Sequence, residues 1–262
     1  MAFRNIQFEE PESGIGLLTL NRPDCLNALS MDMVEELHAL FRELNNRHEV
    51  RVLLIAGRGR GFCAGADLRD ERIIAPAMAC DAAGHLETVQ KPFSALIVEM
   101  RRLPQPIVSV VNGPAAGGGM CIAIASDVII AGPRAAFTAS FINIGLSGGE
   151  LGTSYLLPRL ISMARASEIL MTGRTVEASE AYRIGLVSLL VEEEEKLMDV
   201  AMGKARAMLG KSPLGLRLTK EALNRNQTAP SLEAAICVED LNQSICVTAP
   251  GFLKEVDRFK KK

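Results

Sequence analysis

Ile107-Val-Ser-Val-Val111 is a β-branched apolar run interrupted only by Ser109, the pattern of a buried strand, and Asn112-Gly113-Pro114 breaks it. Three consecutive glycines, Gly117 to Gly119, then open an apolar helix. At such a strand-to-helix turn the first helical N–H groups have no intrahelical partner. With no Cβ in the way, a ligand oxygen can come close to the backbone. The turn therefore suits negative charge, although a triplet by itself also fits a tight turn whose glycines merely permit close packing.

A second stretch bears on that choice. Arg51-Val-Leu-Leu-Ile-Ala56 is another buried-strand run, and it leads into Gly57-Arg-Gly-Arg-Gly-Phe-Cys-Ala-Gly-Ala-Asp-Leu68. Two backbone N–H groups from two glycine-rich turns, converging on one carbonyl oxygen, make an oxyanion hole.

Four stretches, Asn21-Arg-Pro-Asp-Cys-Leu-Asn-Ala-Leu29, Phe62-Cys-Ala-Gly-Ala-Asp-Leu68, Asn112-Gly-Pro-Ala-Ala-Gly-Gly-Gly119 and Ser126-Asp127, together resemble the crotonase superfamily, also called the enoyl-CoA hydratase/isomerase family, in order and spacing. The resemblance implies an α/β fold: a spiral of β-β-α repeats carrying the acyl-CoA site, residues 1–192, followed by a helical region, residues 193–262, that packs in trimers or a dimer of trimers. By the same resemblance the oxyanion donors are the amides of Ala66 and Gly118, and Ala64, Leu68 and Arg69 lie where relatives hold coenzyme A. No separate cofactor is implied, since coenzyme A is part of the substrate.

The chain's own pattern agrees with an α/β reading. Ile6–Glu10 and Ile15–Leu20 flank a Pro11-Glu-Ser-Gly14 turn as a hairpin, and Ser30 stands as N-cap for a helix from Met31 to about Asn46. Strand-like runs recur at 52–55, 107–111, 128–131 and 186–191. From residue 193 onward the pattern turns helical, at 193–209, 213–226, 231–247 and 251–260. Residues 69–90 are of mixed polarity with weak periodicity, and the resemblance makes them the segment that closes over the acyl chain.

Composition supplies bounds. In 262 residues, 48% hydrophobic side chains are ample for a buried core, and a net charge of −2 with both signs interspersed gives no footprint for nucleic acid. Lys260-Lys261-Lys262 reads as a solvated tail. Six cysteines without CxxC spacing, three scattered histidines and no secretory signal at the start are expected of reduced thiols in the cytoplasm, with no metal site. No apolar run has the length to span a membrane.

The reaction is where the sequence departs from its relatives. Hydratases of this family use two glutamates, and the matching positions here are Cys121 and Phe141, neither of which is a carboxylate. Cys121 reads as a small buried residue of an apolar helix. Glu150 is the only carboxylate between Asp127 and Glu168, where a glycine-rich loop leads into a helix expected over 151–160. Such a glutamate either meets the helix dipole, worth about 0.3–1 kcal/mol, or serves as an acid–base group. The stretch Gly152-Thr-Ser-Tyr-Leu-Leu-Pro-Arg-Leu160 resembles that of family isomerases, which carry an Asp or Glu just before it, so the resemblance implies that Glu150 shuttles a proton. Two alternatives stand beside isomerisation: an atypical hydratase working without the usual glutamate pair, and an acyl-CoA-binding protein without turnover. Asp67 and Asp127 are expected to bond turn amides.

Overall fold

Residues 3–260 are described by a computed structural model. Lys261 and Lys262 of the basic tail lie outside the described residues. Strands β1 (Ile6–Glu12) and β2 (Ile15–Leu20) form the expected hairpin, and β3 (Val52–Gly57), β4 (Ile107–Val111), β6 (Val128–Ala131) and β9 (Leu189–Leu190) add to it in parallel, in the order β1-β2-β3-β4-β6-β9. A second sheet joins β5 (Pro114–Ala116), β7 (Ala136–Thr138) and β8 (Thr175–Glu177). Isolated bridges from Leu29 to Ala66 and from Cys63 to Ala115 continue this second layer. The chain thus climbs in turns, each placing one strand in the large sheet and a short extended segment in the small one.

Helices fill the gaps between turns. They are α1 (Met31–Leu44), α2 (Glu71–Met78), α3 (Ala82–His85), α4 (Lys91–Arg102), α5 (Gly118–Ala125), α6 (Thr153–Leu160), α7 (Met163–Thr172) and α8 (Ala178–Arg183). Ser30 caps α1 as expected, its hydroxyl accepting from the Met33 N–H at 3.2 Å. Every residue of α5 is buried, which explains a helix with no polar face.

The C-terminal helices are α9 (Leu197–Leu209), α10 (Pro213–Asn226), α11 (Leu232–Val247) and α12 (Phe252–Lys260). Leu197, Ala201, Met202 and Ala205 of α9 complete an apolar layer with Val52, Leu54, Val108 and Ile130 on one face of the large sheet. On α10, Lys220 is buried and pairs with Asp127 at 2.8 Å, while also donating to the Gln105 carbonyl at 2.8 Å. Asp127 in turn accepts the Ile107 N–H at 2.8 Å, the structural role expected of it. Helix α11 buries no residue within the chain.

Two expectations are corrected. The strand expected over 186–191 keeps only Leu189 and Leu190, because it pairs on one side alone, with β6. The helix expected from residue 193 begins as a 3₁₀ turn, Glu194–Lys196. Residues 69–90, weakly periodic in sequence, are largely helical, and α3 runs into α4 through a π turn, Leu86–Gln90, where the Lys91 N–H bonds the Leu86 carbonyl five residues back.

Candidate active site

Two turns meet at the N-terminus of α5. The first follows β3 and is stapled by asparagines. Asn27, fully buried with φ +56°, donates from Nδ2 to the carbonyls of Arg58, Gly61 and Phe62 at 3.0, 2.9 and 3.1 Å, while its Oδ1 accepts the Arg22 N–H at 2.9 Å. Asn112 donates to the carbonyls of Gly57 and Gly59 at 3.1 and 2.8 Å. The far end of the loop is then held like one rung of a parallel sheet: the Leu29 N–H bonds the Gly65 carbonyl at 2.7 Å, and the Asp67 N–H bonds the Leu29 carbonyl at 2.9 Å. That alternation turns the Ala66 N–H away from Leu29, and among the described residues it has no acceptor.

The second turn is Gly117-Gly118-Gly119. Gly117 has φ +50°, and Gly118 is the first residue of α5, so its N–H has no intrahelical partner and lies at the positive end of the helix dipole. The turns touch. A Cβ on Gly65 would lie 3.2 Å from the Gly118 nitrogen and 3.4 Å from the Gly117 Cα. At Gly119 a Cβ would collide with the backbone carbonyl of Cys63, so a side chain there would push the turns apart. Two unpaired amides at one point of contact can stabilise an oxygen that gains negative charge.

Glu150 approaches from the loop before α6. The helix starts at Thr153 rather than the expected residue 151, because Leu151 (φ +45°) and Gly152 (φ +82°) are left-handed. The Thr153 hydroxyl accepts the Glu150 N–H at 2.9 Å and lies 2.9 Å from the Gly148 carbonyl. Glu150 is therefore outside the first helical turn, and its carboxylate is engaged elsewhere: Oε1 accepts a hydrogen bond from Nε2 of Gln90, on the π turn. The Leu151 side chain packs near Gly118, 3.7 Å from where a Cβ would stand, which brings the chain at Glu150 alongside the glycine turn.

Cys121 and Phe141, where the resemblance expects the glutamates of hydratases, both lie near the glycine turn. Cys121 is fully buried, its Sγ 3.8 Å from the Glu150 carbonyl oxygen, and burial pushes its thiol well up, helped by the nearby Glu150 charge. Cys63 is likewise pushed up to about 12 by burial. Both pack within the hydrophobic core. Phe141 lies against Gly117, its ring 3.5 Å from that residue's Cβ position.

The residues expected to hold coenzyme A string outward from the first turn. Ala64 is half-buried with its N–H bonded to the Leu26 carbonyl at 2.9 Å, Leu68 is 55% exposed, and Arg69 is exposed beside Arg22 and Arg72 in one surface cleft. Asp67 bonds the Arg69 N–H at 3.1 Å and the Arg22 guanidinium at 2.8 Å. Burial works against the Asp67 charge, but these donors and the two cations hold its carboxyl below the usual range, consistent with the structural part expected of it. A broader groove lies far along the chain, between α10 and α11, and its lining, with Leu218, Leu223 and Glu239, offers no paired acid–base groups.

Asn27, Asn112 and Gln90 were not singled out by sequence reasoning. Asn27 sat inside a recognised motif. Gln90 carried a signal of its own: it is a polar residue at helical spacing from the buried Phe93, Ile97 and Met100 of α4, and is itself half-buried.

A family model described as enoyl-CoA hydratase/isomerase matches residues 10–262. A protein of Mycobacterium tuberculosis described as a probable enoyl-CoA hydratase is 41% identical over 244 residues, 90% of this chain and 82% of its own. Among solved structures, a probable enoyl-CoA hydratase/isomerase from Mycobacterium abscessus superposes with a TM-score of 0.88 at 36% identity, over 98% of this chain and 96% of that one. A monofunctional enoyl-CoA isomerase from M. smegmatis superposes with a TM-score of 0.75 at 38% identity, over 89% and 98%.

Proposed function

The chain belongs to the enoyl-CoA hydratase/isomerase family and acts on acyl-CoA thioesters, and we propose that it moves the double bond of a 3-enoyl-CoA into conjugation, with Glu150 as the proton shuttle. The carrying observation is that the loop bearing Glu150 packs beside the glycine turn, with Leu151 against Gly118, while Cys121 and Phe141, where the family resemblance expects the hydratase glutamates, are a buried thiol and a phenyl ring.

In this reading the thioester oxygen lies between the Ala66 and Gly118 amides, which acidifies C2. Glu150 removes a C2 proton, the resulting dienolate keeps its negative charge on the oxygen, and the same carboxyl returns the proton at C4. One base suffices because the proton taken is the proton given back. Backbone amides are already aimed before the charge forms, and losing one such donor costs roughly 3 kcal/mol of transition-state stabilisation. Hydration, in contrast, asks for a group that activates water and a group that protonates C2. The name of the mycobacterial relative favours that second reading, with Glu150 alone serving both tasks.

Arg69 is the residue we assign to the coenzyme A phosphates, with Ala64 and Leu68 nearby on the same turn, because its guanidinium is exposed beside the first turn whereas Arg22 and Arg72 in the same cleft are paired with Asp67, Asp32 and Glu35. Assembly as a trimer or dimer of trimers is supported by α11, whose Leu232, Ile236, Leu241 and Ile245 are left uncovered by the chain's own fold.

Ultraviolet absorbance separates the reactions. Mixing with a 3-enoyl-CoA is expected to raise the conjugated-thioester absorbance. A fall in absorbance with a 2-enoyl-CoA, and none of the former rise, would assign hydration instead.

A further inference from the structure

We infer that Gln90 is the positioning residue for the Glu150 carboxylate: it pins Oε1 and leaves Oε2 to carry the proton. This rests on the reading of Glu150 as the base. The two residues are 60 positions apart, and the fold brings them together by a local irregularity. Pro92 has no N–H to give to the Thr88 carbonyl four residues earlier, and the helix accommodates it with the π turn in which Lys91 bonds Leu86. Gln90 stands three and seven residues before Phe93 and Ile97, on the side of the helix where α4 has its inward stripe, and is half-buried. The same stripe faces the Glu150 loop: Ile97 Cγ2 is 3.9 Å from where a Cβ on Gly152 would stand.

The chemistry of the pair suits this task. An ionised carboxylate only accepts, so the amide must present its NH2 group, which fixes the flip of Gln90. A lysine or arginine in its place would bring a countercharge that competes for the proton-accepting lone pairs, whereas a neutral amide aims the carboxylate without neutralising it. Among the described residues, no donor is seen on Oε2. At the other end of the residue, the Glu150 backbone is fixed by Thr153. Both ends of Glu150 are thus held, and one oxygen remains available.

The test uses the full-length protein and isomerisation of a 3-enoyl-CoA. Gln90→Leu keeps the volume on an apolar stripe and removes the donor. It is expected to lower kcat at least about tenfold, with KM changed less than about twofold and the melting temperature unchanged. Gln90→Glu, of the same shape, sets a second negative charge against Glu150 and is expected to lower kcat further. Lys91→Ala, which removes an exposed ion pair with Glu87 on the same turn, serves as a control with wild-type kcat. Wild-type kcat in Gln90→Leu, alongside an inactive Glu150→Gln, overturns the role of Gln90 and leaves the base in place. A lowered melting temperature with raised KM and unchanged kcat overturns it too, because that is the signature of packing. Turnover by Glu150→Gln overturns both readings.

Discussion

Gly65 and Gly118 touch across the two turns: a methyl group added to Gly65 would lie 3.2 Å from the Gly118 nitrogen and 2.8 Å from the Ala116 carbonyl oxygen. Gly65 also holds φ +90°, a conformation that costs an L-residue about 1–3 kcal/mol. Gly65→Ala is therefore expected to shift Ala66 relative to Gly118 and to cut kcat by roughly a hundredfold. The fold should survive with a loss within that strain. Steady-state kinetics beside a urea melt checks both halves.

Asn27 governs the same turn from below. Its Nδ2 serves three carbonyls at a fully buried position, and its φ is left-handed. Asn27→Ala would leave those carbonyls short of donors and place a Cβ residue without polar compensation in a strained conformation. A loss of about 3 kcal/mol or more is expected, read from the urea midpoint at constant m.

The pH dependence of stability has a defined sign at Asp67. Burial opposes the charge of its folded carboxyl, but the Arg22 guanidinium and the Arg69 N–H hold it below the ordinary aspartate range, so the unfolded chain binds protons more readily in acid. The stabilisation is fully present above about pH 4 and is lost as pH falls through the lower, folded value. Wild type is expected to lose stability in that acidic window, and Asp67→Asn, already lacking the charge, should show a shallower loss there. Parallel unfolding curves over a pH series decide it.

Thiol reactivity should sort by burial. Cys80 and Cys237 are exposed, whereas Cys63 and Cys121 are buried with thiols pushed far above neutrality. Iodoacetamide at pH 8 is expected to label Cys80 and to spare Cys63 and Cys121 in native protein, as read by peptide mass spectrometry. Labelling of Cys121 at a rate comparable to Cys80 would show a reactive thiol beside Glu150 and reopen its part in the chemistry.

Much of this architecture was legible because it is local. The run Ile107–Val111 and the glycine triplet identify β4 and the start of α5, and Ser212-Pro213 places the first residue of α10 because a proline at that position gives up an N–H that had no partner. Residues 69–90 were harder. Pro76 inside α2 and the π turn before Lys91 shift the phase of the helical pattern, so no single period runs through them. The left-handed Leu151 is also invisible to pattern reading, and it moved the helix start from residue 151 to Thr153. The partnership of Glu150 with Gln90 is a tertiary contact, signalled in sequence only by a glutamine on an apolar stripe.

The most direct measurement compares wild type with Glu150→Gln on a 3-enoyl-CoA, following conjugated-thioester absorbance and, in parallel, calorimetric binding of an unreactive acyl-CoA. The substitution keeps size and removes the base. A loss of kcat of about a thousandfold or more with binding little changed is the expected result. Isomerisation by Glu150→Gln at a rate near wild type would contradict the assignment of Glu150 as the proton shuttle.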